Sequence, residues 1–486
     1  MSYKLAGMLA LALGMGCAKP PAPAIPEATI ADLAAWVPEE MEFLVVASSL
    51  EALKTSLEQV KGHASAKQFR EFLEDVEEEM KEATGLDLFA LSTWQEMGLK
   101  TQAPLMLSSN FNKDGPLFVL PVADQARFFE AVEKHLASQG RWQAQPDMPQ
   151  ALRAWEVGWG NFILMAPKAG QVLILLGEDL ELLKKRTQLP QQKSWARHKD
   201  MLLKIDSRLP ANRTLSAWVR FGEARVKEVE WLGLAVATQP RIKVVADMTW
   251  RPGQKPFLPK MQTVPLGPQP YAQGLGGAAG GLWSAVTWDW YVQLFKHPLL
   301  SRGTEPGAME MLFDVCKQNL KPSLLARGWM PTPADEGDFR WSVDVLLNEE
   351  SSAEKVFNIL AAVLSRSAWA SKEKATATQP NPAVPVWEVQ AGEQTLWAQV
   401  FEKNRVRIAN RLTSDVPPDA LQKEAMKEMT HYPVGALFHL NALLTNPMLR
   451  LAFQGNSLEK AEYILLGLRA EEAHAQLTGE HFVEAR

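Results

Sequence analysis

The sequence is poor in cysteine and in the residue spacings that metal sites require. Only two cysteines occur in 486 residues, Cys17 and Cys316, and the eight histidines form neither H-x-H nor H-E-x-x-H. Cys17 follows an apolar run near the N-terminus, whereas Cys316 lies on the apolar stripe of a predicted helix. The pattern therefore predicts no intramolecular disulfide and no metal site, and it predicts that Cys316 is a buried, inert thiol.

The chain also lacks a strong excess of charge of either sign. It has 51 lysines and arginines against 56 aspartates and glutamates, which gives a formal net charge of −5. Nucleic-acid binding needs a continuous basic surface. The densest basic stretch runs from Lys184 to Arg208, and Asp200, Asp206 and apolar residues interrupt it. We therefore predict no nucleic-acid partner and interpret this stretch as the solvated surface of a helix.

Motifs of the common hydrolases and nucleotide-binding proteins are missing. There is no G-x-S-x-G, and the three S-x-x-K matches that begin at Ser352, Ser371 and Ser457 lack the S-D-N and K-T-G partners of penicillin-binding enzymes. The glycine-rich stretch 274–281 follows a proline-rich segment and precedes a strand-like segment, whereas a nucleotide-binding loop connects a strand to a helix. The sequence predicts no catalytic residue, no cofactor and no cofactor-binding residue.

Long hydrophobic runs are missing as well. No segment reaches the roughly 20 apolar residues that span a bilayer, and the run from Leu5 to Met15 has the length of a signal-peptide core. Gly16 and Cys17 follow this run, and a proline-rich segment comes next. This N-terminus resembles that of bacterial lipoprotein precursors. An ordinary cleaved leader and an N-terminal apolar helix are the alternatives.

The resemblance implies a lipid anchor. In that family the residues before the cysteine are removed, and the cysteine is lipidated and begins the mature chain. Residues 1–16 would then be the signal peptide, Cys17 the lipid-attachment residue and 17–32 a proline-rich spacer. In lipoproteins of enteric bacteria, an aspartate directly after the lipidated cysteine prevents sorting to the outer membrane. Here Ala18 occupies that position, which the resemblance associates with the outer membrane. We therefore expect a protein of the bacterial cell envelope, held in the outer membrane by its lipid and facing the periplasm.

Internal repeats indicate a duplicated body. Four tripeptides of the first half recur about 230 residues later, two of them unchanged and two with substitutions. The pairs are 97–99 with 327–329, 145–147 with 379–381, 155–157 with 387–389, and 232–234 with 466–468. The repeats predict a first repeat domain at 33–251, a proline-rich linker at 252–272 and a second repeat domain at 273–486.

Hydrophobic periodicity predicts an α+β fold with two tandem homologous halves, each a mainly antiparallel sheet backed by helices. Asp124 is predicted to cap one helix, and Ser48 is predicted to form a capping box with Glu51 at another. The segment between 222 and 240 is predicted to be helical. Most of the 17 tryptophans are expected in the core, because large aromatic rings are mostly buried.

These observations favour a non-catalytic envelope lipoprotein that acts as a periplasmic binding, scaffold or assembly module. Its partners would be the membrane, through the N-terminal lipid, and an envelope protein or lipid. One alternative is a carrier or chaperone for a lipid or another hydrophobic ligand, which the 18 methionines and the tryptophan content favour. The other alternative is an envelope hydrolase with dispersed catalytic residues, which requires a concave cluster of titratable groups.

Overall fold

The structure is a computed structural model. It describes residues 27–61, 90–110, 115–139, 143–145, 152–156, 161–168, 170–188, 193–222, 226–238, 241–264, 278–296, 306–330, 339–348, 376–378, 386–391, 394–401, 404–411, 417–443 and 462–483, with isolated positions at 74, 75, 77, 78, 81, 87, 148 and 355. The chain divides into two compact units, residues 1–254 and 255–486. Each unit is described by itself.

The first unit contains ten strands and six helices with described bounds. The strands are β1 Phe43–Ala47, β2 Leu105–Ser109, β3 Leu117–Pro121, β4 Gln143–Ala144, β5 Arg153–Glu156, β6 Phe162–Lys168, β7 Gln171–Gly177, β8 Leu215–Arg220, β9 Val229–Ala237 and β10 Lys243–Trp250. The helices are α1 Glu27–Ala34, α2 Leu50–Lys61, α3 Leu91–Glu96, α4 Gln125–Gln139, α5 Leu180–Thr187 and α6 Lys199–Asp206, and a 3-10 turn covers Trp195–His198.

All strand pairs of the first unit are antiparallel. Their spatial order is β10-β9-β8-β1-β2-β3-β7-β6-β5-β4. β1 lies in the middle of this order, so that Val45 is opposite Leu107 of β2 on one side and Ala217 of β8 on the other. Short hairpins between neighbouring strands account for most of these pairings, as is typical of antiparallel sheets.

The main core of the first unit lies between one side of this sheet and its helices. Leu44, Trp218 and Trp231 point from the strands into the core, where they meet Ile30 of α1 and Leu202 of α6. α4 packs against the opposite side, through Phe128 and Val132, over the part of the sheet that contains β5, β6 and β7. Alternation of side chains along each strand directs one set of residues to each layer.

Helix α1 begins within the segment predicted as a proline-rich spacer. Its bounds are Glu27–Ala34, and the side chains of Ile30 and Leu33 are fully buried in the main core of the first unit. Packed structure is therefore present within 17–32, ahead of the expected boundary at 33.

Helix caps agree with the sequence in one case and differ in another. Asp124 accepts a hydrogen bond from the backbone N–H of Arg127 at 3.0 Å, as predicted. The predicted cap at Ser48 is wrong, because Ser49 is the residue whose Oγ accepts from the N–H of Ala52, at 2.9 Å. The carboxylate of Glu51 accepts instead from the hydroxyl of Thr101 at 2.7 Å. Ser48 and Ser49 are adjacent and have the same side chain, so the sequence does not tell which of them caps α2. The direction of the chain after β1 determines that Ser49 is the cap.

The helix predicted between 222 and 240 is wrong, because this segment contains strand β9. β9 pairs with β8 on one side and β10 on the other, and its residues alternate between the two sides of the sheet. Trp231 and Ala235 are buried on the helical side, and Gly233 lies between them. A Cβ atom at Gly233 would lie 2.3 Å from Cγ2 of Ile205 in α6, so the helix approaches the sheet at this glycine.

The second unit contains ten strands and four helices with described bounds. The strands are β11 Gly280–Ser284, β12 Leu320–Trp329, β13 Arg340–Leu347, β14 Thr376–Thr378, β15 Val386–Ala391, β16 Gln394–Phe401, β17 Arg405–Ala409, β18 Val434–His439, β19 Glu462–Ala470 and β20 His474–Val483. The helices are α7 Trp288–Phe295, α8 Pro306–Asn319, α9 Ala420–Met429 and α10 Leu440–Leu443.

The strands of the second unit are also antiparallel, in the spatial order β20-β19-β18-β11-β12-β13-β17-β16-β15-β14. This order repeats that of the first unit strand by strand. Its core lies between one side of the sheet and α9, where Met426 and Met429 meet Trp283, Leu465 and Phe482. The fold is therefore α+β with antiparallel sheets and helices, as predicted.

The proline-rich segment after the first unit packs against the second. Leu258 and Met261 are buried. The carbonyl of Pro259 accepts a hydrogen bond from the indole N–H of Trp290 at 2.9 Å, and the N–H of Met261 donates to the carbonyl of Ala470 at 2.8 Å. Residues 265–272 of the predicted linker lie outside the described residues.

Tryptophan fills the cores of both units. Eight of the described tryptophans are buried, namely Trp155, Trp195, Trp218, Trp231, Trp250, Trp283, Trp288 and Trp290. Trp195 packs edge-to-face on Trp231, with ring centroids 5.3 Å apart. The expected core role is confirmed for these residues. Among the described residues, no helix is long and apolar enough to cross a membrane.

Candidate functional site

The predicted lipid-attachment residue, Cys17, lies outside the described residues, as do residues 1–26 as a whole. Of the serines and lysines in the three S-x-x-K matches, only Lys355 lies within the described residues. Of the glycine-rich stretch, residues 278–281 are described, and Gly280 and Gly281 belong to β11. Extended backbone at this point agrees with the prediction that the stretch enters a strand.

Cys316 lies on α8 and is half-buried, so the expected full burial is only partly correct. Burial raises the pKa of its thiol to about 11. A reactive cysteine needs a lowered pKa, because the thiolate is the nucleophile. The environment of Cys316 therefore favours an inert thiol.

Histidines and carboxylates form no metal-binding group within the described part of the chain. Two small polar clusters instead lie at the end of the second sheet where β18 and β20 end and β19 begins. In one cluster the ring of His439 stacks on Tyr463 with centroids 4.6 Å apart, and the Tyr463 hydroxyl donates to Asp419 at 2.5 Å. In the other, Nε2 of His481 lies 3.0 Å from the Glu462 carboxylate.

The first cluster is built to hold a helix. Asp419 is the N-cap of α9, and its Oδ1 accepts from the N–H of Gln422 at 2.6 Å. Burial lowers the pKa of His439, and burial together with Asp419 raises the pKa of Tyr463. A neutral imidazole and a protonated phenol cannot supply a charged nucleophile near neutral pH. This arrangement anchors α9 to β18 and β19.

A buried ionic cluster crosses three strands of the second sheet. Asp344 of β13 accepts from Nη2 of Arg327 in β12 at 2.6 Å, and it accepts from Nε and Nη2 of Arg407 in β17 at 2.8 and 3.0 Å. All three side chains are almost completely buried. Asp344 uses both carboxylate oxygens in these contacts, so it serves as the centre of a structural ion cluster.

Buried ion pairs in the first unit overturn part of the prediction for the basic stretch. Arg208 forms a bidentate pair with the fully buried Asp247 and also donates to Thr249 at 2.9 Å. Arg186 is buried and lies 3.4 Å from the Glu40 carboxylate. The stretch is therefore not solvated throughout, because Arg186 holds α5 to the turn before β1 and Arg208 holds the turn after α6 to β10. Periodicity in a helix does not distinguish an arginine that snorkels outward from one that pairs inward.

The most unusual surface among the described residues is one side of the strands of the second unit. We call it the open face: the side of strands β12, β11, β18, β19 and β20 that points away from α9. Of the large hydrophobic side chains exposed among the described residues, four belong to this side of the sheet and one to helix α5. They are Leu282 (44% exposed), Phe339 (51%), Leu466 (37%) and Leu477 (41%), and Leu182 (38%) on α5.

Strand register makes this patch continuous. Leu282 of β11 is opposite Ala436 of β18, and Ala436 is opposite Leu466 of β19. Leu466 is in turn opposite Gly479 of β20, and its Cδ2 atom lies 3.5 Å from where a Cβ of Gly479 would be. Phe339 covers Gly328 of β12 at the margin of the face. The exposed side chains thus form a staggered apolar row, in which Leu477 of β20 is opposite Leu468, two residues along β19 from Leu466.

The sequence of strand β19 contains an indication of this face, although hydrophobic periodicity alone does not reveal it. Strand β19 reads EYILLGLRA, with apolar residues in both alternating sets. Tyr463 and Leu465 point into the core, whereas Ile464, Leu466 and Leu468 point to the open face. A strand that is apolar on both sides is typical of burial on both sides. The second side of β19 is instead partly exposed, with Leu466 at 37%.

In comparisons with known proteins, no protein-family description, curated protein or solved structure matches this chain.

Proposed function

We propose that this protein is a non-catalytic binding module of the bacterial cell envelope and that an apolar partner is bound at the open face. The exposed row formed by Leu282, Leu466 and Leu477 carries the proposal. Contiguous apolar patches on soluble proteins are associated with interaction sites. Covering a leucine that is about 40% exposed stabilises a complex by about 1 kcal/mol.

The polar clusters support a binding role over hydrolysis. Asp344 and Asp419 use their oxygens to hold strands and a helix cap. Tyr463 is held as a protonated phenol, and Cys316 as a protonated thiol. These groups serve the fold, so we assign no catalytic residue.

We propose that Cys17 is the lipid-attachment residue and that the protein is held in the outer membrane, facing the periplasm. The apolar run before Gly16 and the prolines after Cys17 support this assignment. A proline-rich stretch adopts an extended conformation of about 3.1 Å per residue. The packed body beginning at Glu27 would then stand away from the membrane surface.

We infer that the two units arose by tandem duplication. The identical order of ten antiparallel strands supports this inference. Two of the repeats also fall on equivalent strands where they are described, 155–156 with 387–388 at β5 and β15, and 232–234 with 466–468 at β9 and β19. The match of 97–99 with 327–329 pairs a turn with a strand, and 145–147 with 379–381 lies largely outside the described residues.

The proposed binding role is tested by photo-crosslinking in the native bacterium. A benzophenone amino acid replaces Leu466 in one strain and Leu182 in a second, because both side chains are exposed to a similar extent. Irradiation should give adducts at position 466 that are absent at position 182. Equal adducts at the two positions, or none at 466, would contradict the proposal.

A further inference from the structure

The second unit holds part of its own proline-rich segment against a short strip of backbone and side chain. We call this the docking strip: Ala285–Trp290, which connects β11 to α7 and begins that helix, and Ala470 at the end of β19. The docked segment is 256–264, which lies outside all helices and strands. An isolated antiparallel bridge joins its Thr263 to Val286 of the strip.

The strip contacts the backbone of the docked segment. The indole N–H of Trp290 donates to the carbonyl of Pro259 at 2.9 Å, and the carbonyl of Ala470 accepts from the N–H of Met261 at 2.8 Å. Two backbone bonds complete the set, from the Thr287 N–H to the Gln262 carbonyl at 3.0 Å and from the Val264 N–H to the Ala285 carbonyl at 3.1 Å. All four bonds use backbone atoms of the segment, so another peptide of the same shape can form them.

The side chains of the docked segment add two apolar anchors. Leu258 and Met261 are buried, whereas Lys260 and Gln262 are exposed. Polyproline II has three residues per turn, so every third side chain points to the same side. Pro259 fixes its own φ within the range of that conformation and favours an extended backbone at Leu258. The spacing of the anchors is therefore that of a polyproline-type ligand.

Trp290 gives the strip the chemistry of a proline-peptide site. Proline-rich ligands dock on aromatic side chains in the polyproline II conformation, and their stiff backbone loses little freedom on binding. Trp290 is buried, and its ring packs edge-to-face on Tyr291 with centroids 5.2 Å apart. A buried donor that loses its acceptor is costly, so the Trp290 N–H favours any ligand that offers a carbonyl at this place.

The chain that leads into the docked segment is exposed. Residues 252–255 are exposed, and Gly253 has a φ of +80° with nothing within 4 Å of the place of a Cβ atom. Arg251, just before them, is held by the carbonyls of Phe221 and Lys227. Release of the docked segment breaks the bridge of Thr263 but no pairing between named strands.

The sequence contains a second segment of the same form. Residues 256–259 read P-F-L-P, and residues 23–26 read P-A-I-P, so both fit P-x-aliphatic-P. The two lie about 230 residues apart, as the other internal repeats do. Each unit is therefore preceded by this motif, and both copies serve as probes for the strip.

We propose that the docking strip is a recognition site for a proline-rich peptide of the form P-x-aliphatic-P, carried by a partner protein. The docked segment fills the site in cis, and the partner's peptide replaces it through the same backbone bonds. The proposal does not rest on the open face, so the two binding roles succeed or fail independently.

Peptide binding to the purified full chain tests the proposal. The probes are two fluorescein-labelled synthetic peptides, residues 254–264 and residues 18–28. Leu258→Asp with Met261→Asp removes both anchors of the docked segment and should open the strip. Each peptide should bind this double variant at least tenfold more tightly than the wild type, in which the docked segment competes. Fluorescence anisotropy measures the binding.

Two tryptophan variants locate the site in the double-variant background. Trp290→Phe keeps a ring but removes the donor to the peptide carbonyl, and it should weaken binding at least tenfold. Trp288→Phe is the matched control, because that indole N–H donates to the carbonyl of Leu320 instead, at 2.9 Å. It should leave binding unchanged. A 254–264 peptide with aspartate at both anchor positions should not bind.

Several results would overturn the proposal. A double variant that urea unfolding shows to be folded, but that binds neither peptide, would mean that the docked segment serves the fold alone. Equal binding with and without the Trp290 indole would place the peptide elsewhere. A wild-type dimer that the double variant abolishes would identify a second copy of the chain, and not a partner protein, as the source of the peptide.

A second measurement applies if the double variant does not fold. The wild type is irradiated with a 254–264 peptide that carries a benzophenone amino acid at the position of Met261. Adducts that mass spectrometry maps to Ala285–Trp290 or to Ala470 would support the proposal. No adduct on the strip at saturating peptide would contradict it.

Discussion

Asp344 lies directly opposite Arg407 across β13 and β17, and both side chains are almost completely buried. Arg327 approaches the same carboxylate from β12. The equivalent strands of the first unit, β2, β3 and β7, contain mainly apolar residues, such as Met106, Val119 and Leu173 in the core. The corresponding strands of the two units are therefore held together by different interactions.

Breaking the ionic cluster should destabilise the second unit strongly. Asp344→Leu leaves two buried guanidinium groups without their shared carboxylate, which costs about 3–5 kcal/mol of unfolding free energy. The triple variant Arg327→Met, Asp344→Leu, Arg407→Met should recover most of the loss, because it leaves no unpaired charge in this cluster. Urea unfolding measures both variants. A triple variant as unstable as Asp344→Leu would show that shape, not charge, determines stability here.

Cys316 should react slowly with thiol reagents in the folded protein. Because burial raises the pKa of its thiol to about 11, almost no thiolate is present at pH 8. The reaction with Ellman's reagent should accelerate many-fold in urea, where the thiol is exposed. The raised pKa also means that the folded state retains the proton longer than the unfolded state. Stability should fall as the pH rises from about 9 toward about 11.

His198 should contribute to a loss of stability in mild acid. Burial lowers its pKa from the reference value of 6.5, Arg220 and Arg197 lower it further, and Glu39 raises it. A lowered pKa means that the unfolded state binds the proton first, so unfolding becomes more favourable as the pH falls below about 6.5.

A matched pair of variants isolates this contribution. His198→Phe keeps a ring near Trp231, whose centroid is 5.3 Å from that of His198, and should make the dependence of unfolding free energy on pH between 7 and 5 less steep. Leu182→Phe adds a ring at an exposed position without removing a titratable group and should leave that slope unchanged. Part of the slope will persist in His198→Phe, because burial also lowers the pKa of His135 and His439. Equal slopes in wild type and His198→Phe would contradict the assignment.

Cys17 should carry the fatty-acid label in the native organism. Cys17→Ala should abolish metabolic incorporation of a labelled fatty acid, because it removes the thiol that would be acylated. Cys316→Ala should leave the label in place, because the burial of that thiol raises its pKa to about 11. A gel of immunoprecipitated protein measures both variants. Label that persists in Cys17→Ala would exclude this residue as the attachment site.

Local patterns were sufficient to predict most strands and the α+β class, because hairpins and amphipathic helices are specified by nearby residues. The three strands β5, β6 and β7 and the cap at Asp124 are examples. β9 was missed because its apolar residues are nearly continuous, and a short apolar run has no periodicity that separates a strand from a helix. Its place between β8 and β10 depends on long-range pairing.

The open face and the ionic clusters could not be predicted for a related reason. The sequence contains Leu466, Arg208 and Arg407, but their positions do not tell which side of a sheet remains uncovered or which carboxylate meets which guanidinium. Asp344 and Arg407 are far apart in the chain, and only the pairing of β13 with β17 brings them together. The one indication of the open face in the sequence is strand β19, in which both alternating sets of residues are apolar.

Gly467 and Gly233 should resist substitution for the same physical reason. Gly467 lies in β19, and a Cβ atom there would lie 2.3 Å from Cγ of Tyr432. Gly233 lies at the corresponding place in β9, where the clash is with Cγ2 of Ile205 at 2.3 Å. Alanine at either position should cost about 1–3 kcal/mol of unfolding free energy, because overpacking forces neighbouring side chains out of their rotamers.

A double-mutant cycle tests this explanation at Gly467. Tyr432→Ala removes the ring that the new methyl group would meet, so Gly467→Ala should cost much less in that background than in the wild type. Gly479→Ala is the matched control in the neighbouring strand, because the nearest atom to its Cβ is Cδ2 of Leu466 at an ordinary 3.5 Å. Urea unfolding gives all the values. An equal cost of Gly467→Ala with and without the Tyr432 ring would assign the effect to the strand backbone instead of the packing of the ring.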